Sequence, residues 1–280
     1  MPDSIRIFLF LLVVFLANIM QAVTGFAGTV LAMPFSIILM GSDFSRVVLN
    51  ILGLAASLGV VIINRKDINW KEVLKVCVIM LIGMIAGYLI LRYVDLSKQV
   101  LLLILAGFVL LFTGIGCYTT FVKKNGLEEE RPTSQEGEVV VEEQAVIFKD
   151  PWYKEALLYA LLVIAGVVHG MYVCGGPLLI IYATKKFKEK HEFRSTLSMI
   201  WVVLNGVNLV RDIASGSIKA LATSLETIAA AVMSIFMLGM AVALGTFIAH
   251  RLNKNKFMIV TYVLMGVSAV SLILNAFGVI

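Results

Sequence analysis

Long apolar runs separated by short polar corners make up most of the chain. The first run extends from Ile5 to Met40, and the run from Trp152 to Thr184 is similar. A helix of about 36 residues would rise roughly 54 Å, whereas a bilayer core of about 30 Å needs only about 20 residues. Each run is therefore predicted to break inside the membrane, at 24–28 and at 169–177, where glycines interrupt it.

The other apolar runs have lengths that suit single membrane spans. They cover 47–64, 73–91, 100–121, 193–210, 225–248 and 257–277. Gly83 and Gly87 have the spacing of small residues that lets two membrane helices approach closely. The pattern predicts an all-α polytopic membrane protein with eight to ten membrane segments, four to five in each half.

Composition supports this interpretation and excludes other classes of protein. Of the 280 residues, 60% are hydrophobic and 15% are charged, and the mean hydropathy is +0.97. A soluble domain could not cover its surface with so few polar groups. The net charge of +5 lies in the loops, which is typical of a multi-pass plasma-membrane protein and does not indicate nucleic-acid binding. Three cysteines without close spacing predict neither a disulfide framework nor a metal site, and no cofactor is expected.

A single long polar stretch divides the chain. Residues 123–150 are rich in glutamate and are predicted to form a flexible acidic cytoplasmic linker between a first membrane repeat, 1–122, and a second, 151–280. The halves resemble each other in sequence. Gly25-Phe26 corresponds to Gly170-Met171, and Phe44-Ser45-Arg46 corresponds to Phe193-Arg194. Internal duplication of this kind is common among transporters, whose sites lie between the repeats.

The distribution of basic residues predicts how the broken segments run. If each crossed the membrane once, lysines and arginines would divide almost evenly between the two sides. If each begins and ends on the same side, one side holds six of them and the other holds the remaining 17 of 23. Because cytoplasmic loops carry such an excess, we expect each half to begin with a glycine-broken helical hairpin and the halves to form an inverted repeat. The basic residues on the poorer side are Arg6, Arg46, Arg92, Lys98, Arg211 and Lys219.

The two breaks are the first candidates for a binding site. A helix N-terminus presents free N–H groups and the positive end of its dipole, so two half-helices that start at the bilayer midplane suit an anion. The second arms are predicted to start near Gly28-Thr29 and Gly175-Gly176-Pro177. The alternative is that these glycines only permit close helix packing. The residues predicted to bind substrate are Gln21, Thr24, Gly25, Gly28, Thr29, Arg46, Asn50, His169, Gly170, Tyr172, Gly175, Gly176, Arg194 and Asn205.

Several of these side chains have alternative interpretations. Arg46 and Arg194 occupy matching positions and suit oxyanions, although an arginine at a helix end also sets topology. His169 is either a proton relay or a neutral ring bonded across a helix contact. Arg211 and Asp212 are expected to pair with each other or to face the interface. No acidic side chain is expected deep in a span except Glu226, which favours an anionic substrate.

These motifs resemble the sulfite exporter TauE/SafE family. Its first-half pattern matches Gln21, Gly25, Phe26, Ala32 and Pro34, with Ala27 in place of the family's glycine. Its second-half pattern matches Gly170, Gly175, Gly176, Pro177, Phe193, Arg194 and Thr196. The resemblance covers nearly the whole chain apart from the linker. It implies transport of small sulfur-containing anions such as sulfite or organosulfonates, usually as efflux.

The leading hypothesis is thus a secondary transporter, not an enzyme, for a small anion bound between the two breaks. Proton coupling is one option for its driving force, and a homodimer is one option for its oligomeric state. A channel, or an importer of sulfur compounds with a thiol relay at Cys174, is the alternative. A membrane-embedded enzyme is the third hypothesis, but it would need a nucleophile and base that the spans do not offer beyond His169.

Overall fold

The structure is a computed structural model that describes residues 3–24, 28–94, 97–117, 151–187, 189–249 and 254–278. The described chain is helical. Its α-helices are α1 Asp3–Thr24, α2 Gly28–Met40, α3 Ser42–Asn64, α4 Trp70–Tyr93, α5 Lys98–Cys117, α6 Pro151–Tyr172, α7 Gly176–Lys186, α8 Lys190–Ala214, α9 Leu225–Ala249 and α10 Lys254–Ala276. Short 3₁₀ turns occupy Arg65–Asp67 and Ser217–Ala222.

Local chemistry explains several helix ends. Gly41 separates α2 from α3 with a φ of 86°, and Gly216 follows the end of α8 with a φ of 76°. Both angles lie in the left-handed region that glycine adopts without a steric penalty. The side chain of Asn69 caps α4 by accepting a hydrogen bond from the backbone N–H of Glu72. Pro177 stands in the first turn of α7, where its missing N–H costs nothing.

The membrane character predicted from the sequence is confirmed. Six helices of the described part are long and apolar enough to cross a bilayer, at Asp3–Ala22, Ser42–Asp67, Trp70–Tyr93, Glu155–Tyr172, Glu192–Ala214 and Leu225–Gly245. Their outer faces carry large exposed apolar side chains such as Phe8, Leu74 and Phe236. In a soluble protein such a surface would aggregate, whereas in a membrane it faces lipid. The protein is therefore a multi-pass membrane protein.

Both predicted breaks are present. α1 ends at Thr24 and α2 begins at Gly28, while α6 ends at Tyr172 and α7 begins at Gly176, which confirms the predicted starts of the second arms. The second arms have 13 and 11 residues, about 20 and 17 Å, and are too short to cross a core of about 30 Å. Each second arm packs against its own first arm, so each broken segment is a helical hairpin.

The ten helices of the described chain pair mainly across the sequence halves. α4 packs against α6, and its counterpart α9 packs against α1; α3 packs against α8, and α5 packs against α10. The contact of α4 with α6 thus corresponds to the contact of α9 with α1, as expected for two related halves. The inverted orientation of the halves and the proposed domain boundaries remain predictions. The predicted linker lies outside the described residues.

Glycines allow the α4–α6 contact to be unusually close. A Cβ atom on Gly83 would overlap the carbonyl oxygen of Val163, and one on Gly87 would overlap that of Val167. The expectation that Gly83 and Gly87 permit close helix approach is therefore confirmed. Because residues later in α4 contact residues later in α6, the two helices run parallel. Close backbone contacts therefore hold α4, in the first sequence half, against α6, in the second.

The buried apolar side chains form two cores that do not coincide with the sequence halves. The first core is built by α1, α2, α3, α5, α9 and α10, together with residues 168–174 at the second break. The second core is built by α4, α6, α7 and α8. α3 and α8 therefore contribute apolar side chains to different cores while they pack against each other. The cores meet at the contact between these two helices and also along α6, which contributes to both.

Candidate functional site

Buried polar side chains collect at the contact between α3 and α8. We call this group the polar seam. It consists of Arg46, Asn50, Tyr88, His169, Asn205, Asn208, Arg211 and Asp212. α3 and α8 supply six of the eight, α4 supplies Tyr88, and α6 supplies His169. A row of polar groups inside a membrane protein is costly unless it has a role, so the seam is the candidate site.

The central part of the seam is built from two asparagines. Asn50 is fully buried and donates from Nδ2 to the backbone carbonyl of Asn205 over 3.0 Å. The side-chain oxygens of both asparagines are buried and have no hydrogen-bond partner among the residues that the structure describes. Buried polar atoms are normally satisfied, by protein or by ordered water. The unpaired oxygens are thus groups that a water or a ligand could engage.

His169 extends the seam to the second break. Its ring is 1% exposed, and it lies beside the side chain of Asn205 and 5.2 Å from the ring of Trp201. Within the described chain, neither ring nitrogen makes a hydrogen bond of acceptable geometry. A Cβ atom on Gly175 would press on the Cβ of His169. The absence of a side chain at Gly175 thus lets the break lie directly against the histidine.

The charged end of the seam joins two arginines to one carboxylate. Nη2 of Arg46 is 3.2 Å from Oδ1 of Asp212, and Nη1 of Arg211 is 3.1 Å from the same oxygen. Asp212 is fully buried and the Arg46 side chain is 9% exposed, while that of Arg211 is 25% exposed. Two guanidinium groups against one carboxylate leave an excess of one positive charge. This excess favours an anion at the seam.

Tyr88 holds the second arginine in place. The guanidinium of Arg211 lies over the Tyr88 ring, 4.6 Å from its centre, which is a favourable cation–π distance. The Tyr88 hydroxyl donates to Oδ1 of Asn208 over 2.6 Å. Asn205, Asn208 and Asp212 recur at intervals of three and four residues, so they share one face of α8. That periodicity was the signal in the sequence for Asn208 and Asp212, whereas nothing indicated Tyr88 or Trp201.

The two breaks contact each other. Sγ of Cys174, in the second break, approaches the backbone carbonyl of Thr29, in the first turn of α2, at 3.8 Å, and the carbonyl of Tyr172 at 3.1 Å. The Tyr172 hydroxyl donates to the backbone carbonyl of Leu101 in α5 over 2.7 Å. Val173 has a φ of 59°, a strained angle for a β-branched residue. Strain of this kind is concentrated at functional sites and switch regions.

The structure separates the predicted site residues into groups. Arg46, Asn50, His169 and Asn205 meet in the seam. Thr29, Tyr172, Gly175 and Gly176 surround the junction of the breaks. Gln21 and Gly28 lie against each other at the first break, and Gly170 packs on the backbone of Met84 in α4. Gly25 lies outside the described residues, as does the side chain of Thr24.

Arg194 is not brought to the seam. Its side chain is exposed near the start of α8, whereas Arg46 contacts Asp212 near the end of the same helix. The two positions are 18 residues apart, or about 27 Å along a helix. α3 and α8 run antiparallel, since Arg46 meets Asp212 while Asn50 meets Asn205. The matched arginines therefore lie toward opposite ends of α8, and only Arg46 belongs to the seam.

Two acidic side chains of the described chain are buried between helices, each near an end of its helix, so neither lies deep in a span. Asp212 is fully buried and Glu72 is 7% exposed, while Glu226 is exposed. Asp212 was expected only to pair with Arg211 or to face the interface, but it also pairs with Arg46 across the core boundary. Both buried carboxylates are compensated by cations from neighbouring helices, which is how a membrane protein accommodates them.

Glu72 forms a second polar group at the start of α4. Its Oε1 is 2.9 Å from Nζ of Lys75 and 3.6 Å from Nζ of Lys186, and its Oε2 accepts from the Tyr182 hydroxyl over 2.7 Å. Tyr182 and Lys186 belong to α7. Glu72 therefore fastens the far end of the short helix to α4. No set of three histidine, cysteine or acidic side chains in the described ranges is placed to hold a metal ion.

Comparison with known proteins identifies one family. The family model described as "Sulfite exporter TauE/SafE" matches residues 10–272, which covers nearly the whole chain. The match includes both breaks and every residue of the polar seam. No curated protein and no solved structure matches the chain significantly.

Proposed function

Because the chain belongs to the sulfite exporter TauE/SafE family, we propose that it is a secondary transporter that exports a small sulfur-containing oxyanion, such as sulfite or an organosulfonate. The anion binds in the polar seam, between the junction of the two breaks and the Arg46–Arg211 pair. The observation that carries this proposal is the position of the seam. Its unsatisfied donors, Nδ2 of Asn208 and Nε of Arg46, and its excess positive charge lie where the two apolar cores meet.

The chemistry of the seam suits an oxyanion. Guanidinium groups donate several N–H bonds in a fixed geometry to the oxygens of a sulfite or a sulfonate. Nδ2 of Asn208 supplies a further donor, since it has no partner among the described side chains and backbone. The first turns of α2 and α7 add the positive ends of two helix dipoles near the same place. A cation would meet these groups with the wrong charge.

The arrangement of cores supports alternating access. α3 belongs to the first core and α8 to the second, so a small movement between these two helices would open or close the seam. Transporters with internal repeats move rigid bundles around a fixed central site in this way. His169 lies beside the Asn205 side chain, and neither ring nitrogen makes a hydrogen bond of acceptable geometry within the described chain, which supports a role in proton coupling to the exported anion.

The matched asparagines Asn50 and Asn18 allow a controlled test. Asn18 is equally a buried asparagine, but its Nδ2 donates to Val14 within its own helix over 2.7 Å. In proteoliposomes, labelled sulfite and organosulfonate flux is expected to fall about tenfold or more in Asn50→Leu, a loss of about 1.4 kcal/mol of interaction. Asn18→Leu is expected to transport like the wild type once the amount of folded protein is matched.

Two outcomes would contradict the proposal. One is a wild-type protein that neither transports nor is thermally stabilised by sulfite, an organosulfonate or a related oxyanion. The other is full flux in Asn50→Leu. Thermal stabilisation is a direct readout, because a ligand that binds only the folded state raises its unfolding temperature.

A second candidate is an anion channel or an importer with a thiol relay at Cys174. It is favoured by one observation, namely that Cys174 lies where the two breaks touch. A Cys174→Ser variant separates the candidates. Unchanged flux in this variant removes the relay, whereas loss of flux with retained sulfite binding would support it over the oxyanion exporter.

A further inference from the structure

The Arg46–Asp212 pair has an unusual geometry for a buried ion pair. Buried arginine–carboxylate pairs are normally stabilised by two parallel hydrogen bonds that use both oxygens. Here Arg46 and Arg211 both point at Oδ1 of Asp212. Oδ2 of Asp212 and Nε of Arg46 are both buried, and neither has a partner in the described part of the chain. The pair thus holds one unused acceptor and one unused donor.

We propose, resting on the proposed function, that in the absence of substrate the Asp212 carboxylate occupies the position on Arg46 at which the substrate oxyanion binds. Its negative charge restricts the seam to singly charged oxyanions. A carboxylate and a sulfonate both present oxygens of similar charge to a guanidinium. An arriving anion accepts from Arg46, including its Nε, and Asp212 remains bound to Arg211. Asp212 is therefore a specificity-determining residue, since it both competes with substrate and sets the charge that the site accepts.

The count of nearby charges supports the restriction. Arg46 on α3, Arg211 and Asp212 on α8, and the uncharged Tyr88 on α4 meet at this point, and they sum to one positive charge. Asp43, in the first turn of α3, also acts on the pair but is exposed and therefore screened by solvent. A monoanion neutralises the excess, whereas a dianion leaves an uncompensated negative charge in a site of low dielectric. The site should therefore prefer a sulfonate, or sulfite in its singly protonated form, to sulfate.

The position of the Arg46–Asp212 pair couples selection of the anion to movement of α3 relative to α8. Arg46 belongs to a helix of the first core and Asp212 to a helix of the second, so their bond connects the two across the seam. When an anion replaces Asp212 on Arg46, that connection is released. The step needs no chemistry beyond an exchange of one oxyanion for another.

The test measures thermal stabilisation of the purified protein by methanesulfonate, a monoanion, and by sulfate, a dianion. In the wild type, methanesulfonate is expected to stabilise and sulfate to have little effect. In Asp212→Asn the charge excess becomes two, and the apparent affinity for sulfate relative to methanesulfonate is expected to rise about tenfold or more. In Asp212→Ala, acetate is expected to raise the unfolding temperature by refilling the vacated place.

Matched variants keep the result interpretable. Asp43→Asn removes a neighbouring exposed carboxylate and is expected to keep the wild-type preference. If Asp212→Asn does not fold, the double variant Asp212→Asn/Arg211→Gln restores an excess of one charge and is expected to keep the preference for methanesulfonate.

The possible failures are distinguishable. If the wild type responds to neither anion nor to sulfite, the proposed function fails. A second outcome is that the wild type binds methanesulfonate, the Asp212 variants keep the wild-type ratio of sulfate to methanesulfonate affinity, and acetate does not stabilise Asp212→Ala. This outcome overturns the role of Asp212 but leaves the proposed anion site intact. A double variant that prefers sulfate would likewise overturn the charge argument.

Discussion

Two carboxyl groups are buried in the described chain, and they differ in how completely their surroundings satisfy them. Both oxygens of Glu72 are engaged, by Lys75, Lys186 and the Tyr182 hydroxyl. Asp212 receives two guanidinium groups on one oxygen and nothing from the described residues on the other. A fully engaged carboxylate stabilises one arrangement, whereas an incompletely engaged one can exchange partners. Glu72 is accordingly interpreted as structural and Asp212 as functional.

The surroundings of the two groups agree with this difference. Glu72 lies at the start of α4 and joins elements that belong to the same core. Asp212 joins helices that belong to different cores. A bond within one core does not need to break when the cores move, but a bond between them does. Substitutions at the two sites should therefore separate loss of stability from loss of transport.

The largest effect is expected when the exchangeable pair is replaced by apolar groups. In Arg46→Met/Asp212→Leu, sulfite flux should fall at least about 100-fold, because desolvated charge partners in a binding site are worth 2–5 kcal/mol. Stability should be unchanged or higher, since apolar replacement of a buried ion pair is often neutral or stabilising. Flux in proteoliposomes and thermal unfolding measure the two properties. A large loss of stability would show that the pair is a structural element like Glu72.

At Glu72 we expect an effect of intermediate size, on stability and not on transport. Glu72→Gln weakens charge-assisted hydrogen bonds to Tyr182 and Lys75, which should cost about 1.5–3 kcal/mol of unfolding free energy. Flux per folded molecule should stay close to the wild-type value. Glu226→Gln, an exposed glutamate in the first turn of the corresponding helix α9, serves as the control and should change stability by less than about 0.5 kcal/mol. A transport defect in folded Glu72→Gln would contradict the structural interpretation.

The smallest effect is expected at Arg194. The sequence predicts that Arg194 binds substrate as the counterpart of Arg46, but its side chain is exposed. Arg194→Ala should therefore change stability by less than about 0.5 kcal/mol and leave sulfite flux and sulfite binding nearly unchanged. If flux is lost while the protein remains folded, Arg194 belongs to the transport pathway and the two arginines act together after all.

Features set by local chemistry could be predicted from the sequence. The length limit of a membrane span and the glycines at 24–28 and 169–177 predicted the breaks, and α2 and α7 begin where the glycines and Pro177 indicated. The spacing of Gly83 and Gly87 predicted a close helix contact. In each case the cause lies within a few neighbouring residues.

Features that depend on which face of a helix is covered could not be predicted. The repeat placed Arg46 and Arg194 in equivalent positions, but only Arg46 is turned toward a neighbouring helix that offers a carboxylate. In the sequence, Asp212 follows Arg211 near the end of an apolar run, so the two residues resembled an ion pair on the surface. In the structure α8 continues to Ala214, and Asp212 is buried. The rotation of a helix about its axis is fixed by tertiary packing, to which a single sequence gives only indirect access.

The distance along the chain between Arg46 and Asp212 has a consequence for biosynthesis. The two residues are 166 positions apart. At about 5–20 residues per second, the ribosome produces Asp212 roughly 8–30 s after Arg46. During that interval α3 is present without the carboxylate that neutralises its guanidinium, and an unpaired charge in lipid is costly. We therefore expect the Arg46 end of α3 to stay in contact with water or with the insertion machinery until α8 emerges.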